Sequence, residues 1–155
     1  MTVVGYAAGA FDLFHVGHLN ILRQAKSRCD LLVAGVVSDE VCLETKGRLP
    51  VVPLAERLEI VSHIGYVDRA VAETSRDRLD IWKEVRFDVF FKGDDWRGTT
   101  KGIRIEEEFA KVGVEVVYFP YTVHTSSTQL RRTIELLHTA HAAAHQVLSA
   151  DGRSI

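Results

Sequence analysis

Short apolar runs alternate with amphipathic helical patterns along most of the chain, and this alternation restricts the fold more than any other feature. Val3 to Ala8 and Leu31 to Val37 are continuous apolar runs rich in β-branched residues, which is typical of strands buried on both faces of a sheet. Between them, apolar residues recur at helical spacing from Gly17 to Ser27. Such alternation predicts a parallel sheet joined by crossover helices.

The same pattern continues towards the end of the chain. Further strands are predicted at 67–71, 88–91 and 114–119, and further helices at 53–63, 76–85, 103–112 and from 126 to at least 137. The polar stretch from Ser38 to Arg48 is predicted to be a loop over a site. We therefore expect a single α/β, Rossmann-like domain over residues 1–137, with three layers, about five parallel strands and helices on both faces, followed by a C-terminal helical tail over 138–155.

Composition excludes several classes of protein. The 155 residues are 46% apolar, enough for one compact core, and 19 basic against 21 acidic residues leave a formal charge of -2, which indicates no nucleic-acid partner and no anionic membrane. No apolar run approaches the roughly 20 residues of a membrane span, and no basic signal-peptide start precedes the first strand. We expect a soluble, cytoplasmic protein whose two cysteines are free thiols.

The segment after the first strand carries the main chemical signal. His15 and His18 lie three residues apart where a loop becomes a helix, so both rings lie on one side of the first turn. A helix start offers unpaired N–H groups and partial positive charge, which favour phosphate binding. Gly17 lets a phosphate approach closely, and the small residues Gly9 and Ala10 also leave room for it. The alternative interpretation is a pair of ordinary surface histidines.

The run Gly9-Ala10-Phe11-Asp12-Leu13-Phe14-His15-Val16-Gly17-His18 resembles the Gly-x-Phe-Asp-x-x-His-x-Gly-His signature of the cytidylyltransferase family. The resemblance extends over nearly all of residues 1–137 and is strongest to glycerol-3-phosphate cytidylyltransferases. It implies transfer of CMP from CTP to glycerol 3-phosphate or a similar phosphorylated polyol or alcohol, giving a CDP-alcohol and pyrophosphate. It also implies Mg²⁺ carried by the nucleotide phosphates, no metal ligands from the chain itself, and a homodimer.

The resemblance also assigns roles by position. The residues expected to act in catalysis are His15, His18 and Lys46. Those expected to bind the nucleotide are Gly9, Ala10, Phe11, Gly17, Arg57, Gly93, Asp94, Asp95, Trp96, Thr122, Ser126, Ser127 and Thr128. Those expected to bind the second substrate are Asp12, Lys46 and Arg48.

Most of these assignments have a physical basis, but the same residues also have a simpler explanation that involves no function. Lys46 is a flexible charge that can offset negative charge on an α-phosphate, with Arg48 assisting, although a solvated turn would look the same. Arg57 matches an arginine kept beside the site, although a surface ion pair is the rival explanation. Gly93 to Trp96 follows a strand and suits a nucleotide base, although a turn with a core tryptophan would look alike.

The chain departs from the family between 121 and 128. The usual Arg-Thr-x-Gly-Ile-Ser-Thr-Thr reads Tyr-Thr-Val-His-Thr-Ser-Ser-Thr here, so Tyr121 replaces a bidentate phosphate donor and His124 replaces a glycine. Either Arg131, Arg132 or a neighbouring subunit supplies the missing charge, or the nucleotide is held differently. Ser126 also has a simpler interpretation as an ordinary helix N-cap.

The expected chemistry is in-line attack of a substrate phosphate oxygen on the α-phosphorus, with no covalent intermediate and no general base. Two alternatives remain. The same signature resembles adenylyltransferases acting on heptose phosphate, FMN or pantetheine phosphate with ATP, and the altered 121–128 segment suits a nucleotide-binding module without turnover. The spacing of His138, His141 and His145 favours a plain helix face over a zinc site.

Overall fold

The computed structural model describes residues 1–121 and 124–151, which form one five-stranded sheet flanked by helices. The strands are β1 (Val4–Gly9), β2 (Leu31–Val37), β3 (Arg69–Glu73), β4 (Val89–Gly93) and β5 (Glu115–Phe119). The helices are α1 (Val16–Lys26), α2 (Asp39–Lys46), α3 (Leu54–Ser62), α4 (Arg78–Val85), α5 (Thr100–Ala110) and α6 (Ser127–Asp151), with a 3₁₀ turn at Asp94–Trp96.

All neighbouring strands are parallel, in the order β3-β2-β1-β4-β5. The chain therefore builds the sheet outwards from β1 in one direction and then returns to the other side of β1 with β4. The loops that leave β1 and β4 diverge at this reversal, and ligands of open parallel sheets bind there, beyond the carboxyl ends of the strands. The predicted Rossmann-like α/β fold is confirmed.

Helices cover both faces of the sheet, as predicted. On one face, Leu22 of α1 and Val61 of α3 pack on a core that includes Leu32 and Phe91. On the other face, helices α4 and α5 bury Ile81, Ile105 and Phe109 against Tyr6, Val33 and Phe90. The three layers therefore place α1 and the pair α4 and α5 on opposite sides of the strand ends.

The prediction of a loop from Ser38 to Arg48 is wrong, because residues Asp39–Lys46 form helix α2. The Ser38 hydroxyl caps its start by accepting from the Val41 N–H, and Gly47 ends it with a left-handed φ of 71°. Both are recognisable helix signals. Only Val41 and Cys42 of this short helix are buried, so its polar sequence showed no apolar stripe.

Helix α6 runs without a break from Ser127 to Asp151. The boundary predicted after residue 137 therefore falls inside one helix, and from residue 132 to residue 150 its side chains are exposed. The spacing of the tail histidines does place His141 beside His145, with ring centroids 4.6 Å apart.

No helix in the described ranges has both the length and the apolar character that crossing a membrane requires.

Candidate active site

A cavity of about 990 Å³ lies at the carboxyl ends of the strands, at the upper end of the usual range for ligand sites. It brings together three segments that are far apart in the sequence, which are the loop after β1, the turn after β4 and the start of α6. The predicted site residues along its wall are Gly9, Ala10, Phe11, Asp12, His15, Gly17, His18, Lys46, Arg48, Gly93, Asp95, Trp96, Ser127 and Thr128.

The two histidines form the start of α1. His15 is its N-cap, and its Nδ1 accepts from the Gly17 N–H at 3.0 Å, while the Nδ1 of His18 accepts from the His15 N–H at 3.2 Å. The ring centroids lie 4.0 Å apart. Because Nδ1 is an acceptor in both rings, the neutral form of each carries its proton on Nε2. Two Nε2–H donors are thereby oriented away from the helix backbone.

Both histidines are held in the neutral state. Burial, and secondarily the neighbouring His15, lower the pKa of His18 to about 3, and burial also lowers the pKa of His15. The rings therefore offer hydrogen bonds rather than positive charge at neutral pH. The remaining polar neighbour of His18 is the Ser127 hydroxyl, 3.4 Å from Nε2, which links α1 to the start of α6.

The depressed pKa of His18 predicts a pH-dependent stability. In the unfolded chain this ring is protonated near pH 6.5, whereas in the folded protein it is protonated only at about pH 3. The stabilisation that the neutral ring gives the folded state is therefore complete above pH 6.5 and is lost as the pH falls. Relative to His18→Asn, the wild-type protein should lose on the order of 3 kcal/mol of unfolding free energy between pH 7 and pH 4. Urea titrations at both pH values measure this, and an NMR midpoint of His18 near 6.5 would contradict it.

The loop between β1 and α1 is strained and firmly anchored. Phe11 and Leu13 adopt left-handed φ angles of 51° and 50°, which cost energy for residues with a Cβ. Between them, the carboxylate of Asp12 accepts from the N–H groups of Val51 and Val52, both at 2.9 Å. These contacts hold the histidine loop against the segment that precedes α3.

The carboxylate of Asp12 is also paired with Arg131 of α6, whose Nη2 lies 3.0 Å from Oδ2. Burial raises the pKa of Asp12, but the backbone donors and Arg131 outweigh it, so the net pKa is lowered. Asp12 lines the cavity, yet its oxygens are occupied by three protein donors. These donors fix the position of the carboxylate, and the contact with the second substrate expected of Asp12 stays a prediction.

Arg57 does not line the cavity, although it was expected to bind the nucleotide. Its guanidinium is buried and donates to the carbonyl oxygens of Ala10, Val37 and Val52 and to Asp39 Oδ1, at 2.5 to 2.8 Å. These partners come from the ends of β1 and β2 and the start of α2 and α3. Direct contact with a phosphate is excluded by this arrangement, which instead joins the elements beneath the cavity.

Lys46 lies in the last turn of α2 rather than on a loop, and Arg48 follows the left-handed Gly47. Both line the cavity. The charge of Lys46 contributes to the lowered pKa of His18, after burial and the neighbouring His15. The structure thus brings together the three residues predicted to act in catalysis.

The turn after β4 forms a narrow slot. A Cβ added to Gly93 would lie 2.7 Å from Asp95 Oδ1 and 3.7 Å from the Tyr121 ring, so a larger residue there would require the Asp95 carboxylate to move. Asp95 and Trp96 line the cavity with Gly93, whereas Asp94 does not. The Tyr121 ring therefore stands at the edge of the slot in place of the arginine usual in the family.

The start of α6 forms the opposite wall of the cavity. The Ser127 hydroxyl donates to the Asp12 carbonyl at 2.7 Å, and the Ser126 hydroxyl accepts from the Gln129 N–H, as the N-cap alternative for Ser126 predicted. Thr122 lies outside the described residues. Arg131 lines the cavity, and its Nε is buried without a hydrogen-bond partner among the described residues. Of the two arginines considered as substitutes for the missing charge, Arg131 therefore lies at the site.

The family model for cytidylyltransferase-like proteins matches residues 6–133. The chain belongs to the cytidylyltransferase-like family. The matched range covers every element from β1 to the start of α6, including both walls of the cavity.

The relatives of this cytidylyltransferase-like chain carry the names of different enzymes. The FAD synthase of Thermococcus sibiricus is 30% identical over 128 residues, covering 82% of this chain and 86% of that protein. The ethanolamine-phosphate cytidylyltransferase of Arabidopsis thaliana is 40% identical over 95 residues, covering 58% of this chain and 22% of that protein. A lipopolysaccharide core biosynthesis protein from Thermoplasma volcanium superposes with a TM-score of 0.67 at 25% identity, covering 81% of this chain and all of that one.

The structure adds Glu73 and Arg78, which sequence reasoning did not assign, and places them with Lys92, the first residue of the segment from Lys92 to Gly98 that the sequence assigns to nucleotide binding. Lys92, Glu73 and Arg78 line the cavity on the side of α4 and α5. Lys92 and Glu73 lie at carboxyl ends of strands, and Arg78 begins α4. A charged residue at a strand's carboxyl end was the available signal, but β3 was predicted to end two residues earlier, before Glu73.

Proposed function

We propose that this nucleotidyltransferase moves CMP from CTP to glycerol 3-phosphate or a similar phosphorylated polyol. The observation that carries the proposal is the neutral His15 and His18 pair, which faces the start of α6 within one cavity large enough for two substrates. The family uses nucleoside triphosphates and small phosphorylated substrates, and the cavity contains donors for both.

In the proposed reaction, an oxygen of the acceptor phosphate attacks the α-phosphorus of the nucleotide. A new phosphorus–oxygen bond forms as the bond to the α,β-bridging oxygen breaks, and pyrophosphate leaves with the electron pair. Because the attacking oxygen is already anionic at neutral pH, no general base is needed. The task of the protein is therefore to orient two anions and to stabilise the charge that develops on the leaving oxygen.

The histidine pair suits the leaving group. In our proposal the Nε2–H groups of His15 and His18 donate to oxygens around the α,β-bridge, where negative charge grows. The backbone N–H groups of Ser127 and Thr128, at the start of α6, donate to the β- and γ-phosphates. Arg131 supplies the cationic donor that Tyr121 cannot supply, since its buried Nε lacks a partner. Neutral imidazoles here avoid holding pyrophosphate too tightly for release.

Lys46 is proposed to neutralise the α-phosphate, with Arg48 nearby. Mg²⁺ would enter with the nucleotide on its phosphate oxygens and supply further neutralisation of the triphosphate. In the described residues, no cluster of three or more His, Cys, Asp or Glu side chains is arranged to hold a metal ion. A homodimer remains a prediction.

The slot at Gly93 is proposed to hold the base, with Asp95 accepting from an exocyclic amino group. Cytosine and adenine both carry such a group, and the FAD synthase relatives favour an adenylyltransferase as a second candidate. Purified protein with Mg²⁺ should release pyrophosphate faster with CTP than with ATP when glycerol 3-phosphate is the acceptor. Faster release with ATP and FMN or a sugar phosphate would establish the second candidate, and nucleotide binding without any release would establish a non-catalytic module.

The cationic wall of the cavity predicts discrimination among acceptors. Lys92, Arg78 and Lys101 all lie within 6.0 Å of the Trp96 ring centroid, so a positively charged acceptor would meet like charge. We expect kcat/KM for glycerol 3-phosphate to exceed that for phosphoethanolamine by at least about 10-fold. A tenfold ratio corresponds to roughly 1.4 kcal/mol of discrimination between the two acceptors. Equal values, measured by pyrophosphate release, would contradict this assignment of charge.

A further inference from the structure

The basic side chain of Lys92 lies at the floor of the cavity, and within residues 1–121 and 124–151 it forms no ion pair. Its position at the end of β4 is next to Ala8 of β1, and its Nζ donates to the Ala8 carbonyl at 3.1 Å. The ammonium also lies 4.5 Å from the Trp96 ring centroid, which is a favourable cation–π distance. Within the described residues no carboxylate lies close enough to pair with it. At least one of its three N–H donors is therefore free to face the cavity.

The carboxylate of Glu73, one of the two that act on Lys92, already has other partners. Glu73 accepts from the Arg78 guanidinium at 2.7 Å and from the Tyr6 hydroxyl at 2.8 Å. Glu73 is buried, and both of its oxygens have partners. Arg78 therefore balances the negative charge of Glu73, and Glu73 does not form an ion pair with Lys92.

The other charged groups around Lys92 come from different elements. Arg78 of α4 and Lys46 of α2 disfavour its protonation, while Glu73 of β3 and Asp95 of the 3₁₀ turn favour it. Together with burial, which is the largest cause, they lower the pKa of Lys92 to about 7. Lys101 of α5 approaches from the other side of Trp96. An anion bound in the cavity would restore the charged form, because a buried ammonium is stable only when paired.

The position of Lys92 points to one of the two substrates. This step rests on the proposed function, in which the β- and γ-phosphates lie between α1 and α6. In-line displacement requires the attacking oxygen to approach the α-phosphorus from the side opposite the leaving pyrophosphate. Lys92 extends from the face of the sheet that carries α4 and α5, opposite the face that carries α1.

We propose that Lys92 binds the phosphate group of the acceptor and holds one of its oxygens in line with the α-phosphorus. The lysine donates hydrogen bonds to the non-attacking oxygens and transfers no proton during the displacement. Above neutral pH it takes up a proton from solvent when the acceptor binds. The acceptor is thus a phosphate monoester, and Lys92 is a specificity-determining residue that touches it.

Kinetics separate this role from nucleotide binding. Lys92→Met should raise the KM for glycerol 3-phosphate at least about 30-fold while changing the KM for CTP less than twofold, and Lys92→Arg should recover part of the loss because it restores a cation. Lys111→Met, an exposed lysine after α5, is the matched control and should change neither constant. A raised KM for CTP with an unchanged KM for the acceptor would overturn the proposal.

The pH dependence of kcat/KM for the acceptor tests the role of Lys92, because a merely structural role would not change it. With the free Lys92 near neutrality, kcat/KM for the acceptor should fall about tenfold per pH unit well above pH 7. In Lys92→Arg this limb should disappear, because arginine stays protonated. Ionisation of the acceptor affects both proteins equally, so it cancels in the comparison. Persistence of the same limb in Lys92→Arg would contradict the assignment.

A binding measurement distinguishes failure of this inference from failure of the proposed function. In a Trp82→Phe background, Trp96 is the remaining tryptophan, and its fluorescence should titrate near pH 7 as Lys92 changes charge. Glycerol 3-phosphate should shift that midpoint upwards, and the additional Lys92→Met change should remove the transition. A shift without any turnover would support the phosphate site and refute the transferase proposal, whereas turnover without a shift would refute the role of Lys92.

Discussion

Replacing His18 with Ala is expected to reduce pyrophosphate release at least about 10³-fold at saturating substrates. A single well-placed donor to developing charge contributes about 10²–10³ in kcat, and this change removes both the Nε2–H donor and the Nδ1 acceptor that orients His15. The loss should appear in kcat rather than only in KM, since the charge grows in the transition state. Steady-state assays with CTP and glycerol 3-phosphate measure both constants.

Two further variants make the test specific. His18→Asn can keep an acceptor for the His15 N–H while lacking the donor at the position of Nε2, so it should lose nearly as much kcat and retain the fold. His63→Ala removes an exposed histidine distant from the cavity and should leave the rate unchanged. Wild-type activity in His18→Asn would show that the ring acts only by capping α1, and the proposed stabilisation of the leaving group would then be wrong.

Replacing Arg57 with Met is expected to cost about 3–5 kcal/mol of unfolding free energy. The guanidinium is buried and donates to three carbonyl oxygens and to Asp39, so methionine leaves these acceptors without donors in a site that water does not reach. Urea unfolding followed by circular dichroism measures the change. The effect should be one of stability first, because Arg57 does not line the cavity.

A surface arginine provides the comparison for this prediction. Arg104 pairs with Glu108 at the surface of α5, and Arg104→Met should lower the unfolding free energy far less than Arg57→Met, because exposed ion pairs contribute little to stability. A small loss in Arg57→Met together with a large rise in the KM for CTP would instead indicate direct contact with the nucleotide. That outcome would restore the role first expected from the family pattern.

Much of the active site was accessible from local sequence. The helix start at His15 and His18 follows from a strand, a small-residue loop and a helical pattern within some fifteen residues, so the pair was predicted together with its N–H donors. Helix α2 was missed although Ser38 and Gly47 are ordinary capping residues. An eight-residue helix with few buried side chains offers too little periodicity for its pattern to outweigh its polar composition.

The sequence by itself determined the class of fold, the family and the histidine pair, because each depends on residues that are neighbours along the chain. Only the tertiary structure decided that Arg57 is buried beneath the cavity, that Arg131 reaches Asp12, and that Lys92 has no carboxylate partner in the part of the chain that the structure describes. Those contacts depend on strand order and register, which bring β1 between β2 and β4. The sequence shows which side chains carry charge. Whether a charged side chain has a partner depends on how elements that are distant in the sequence pack together.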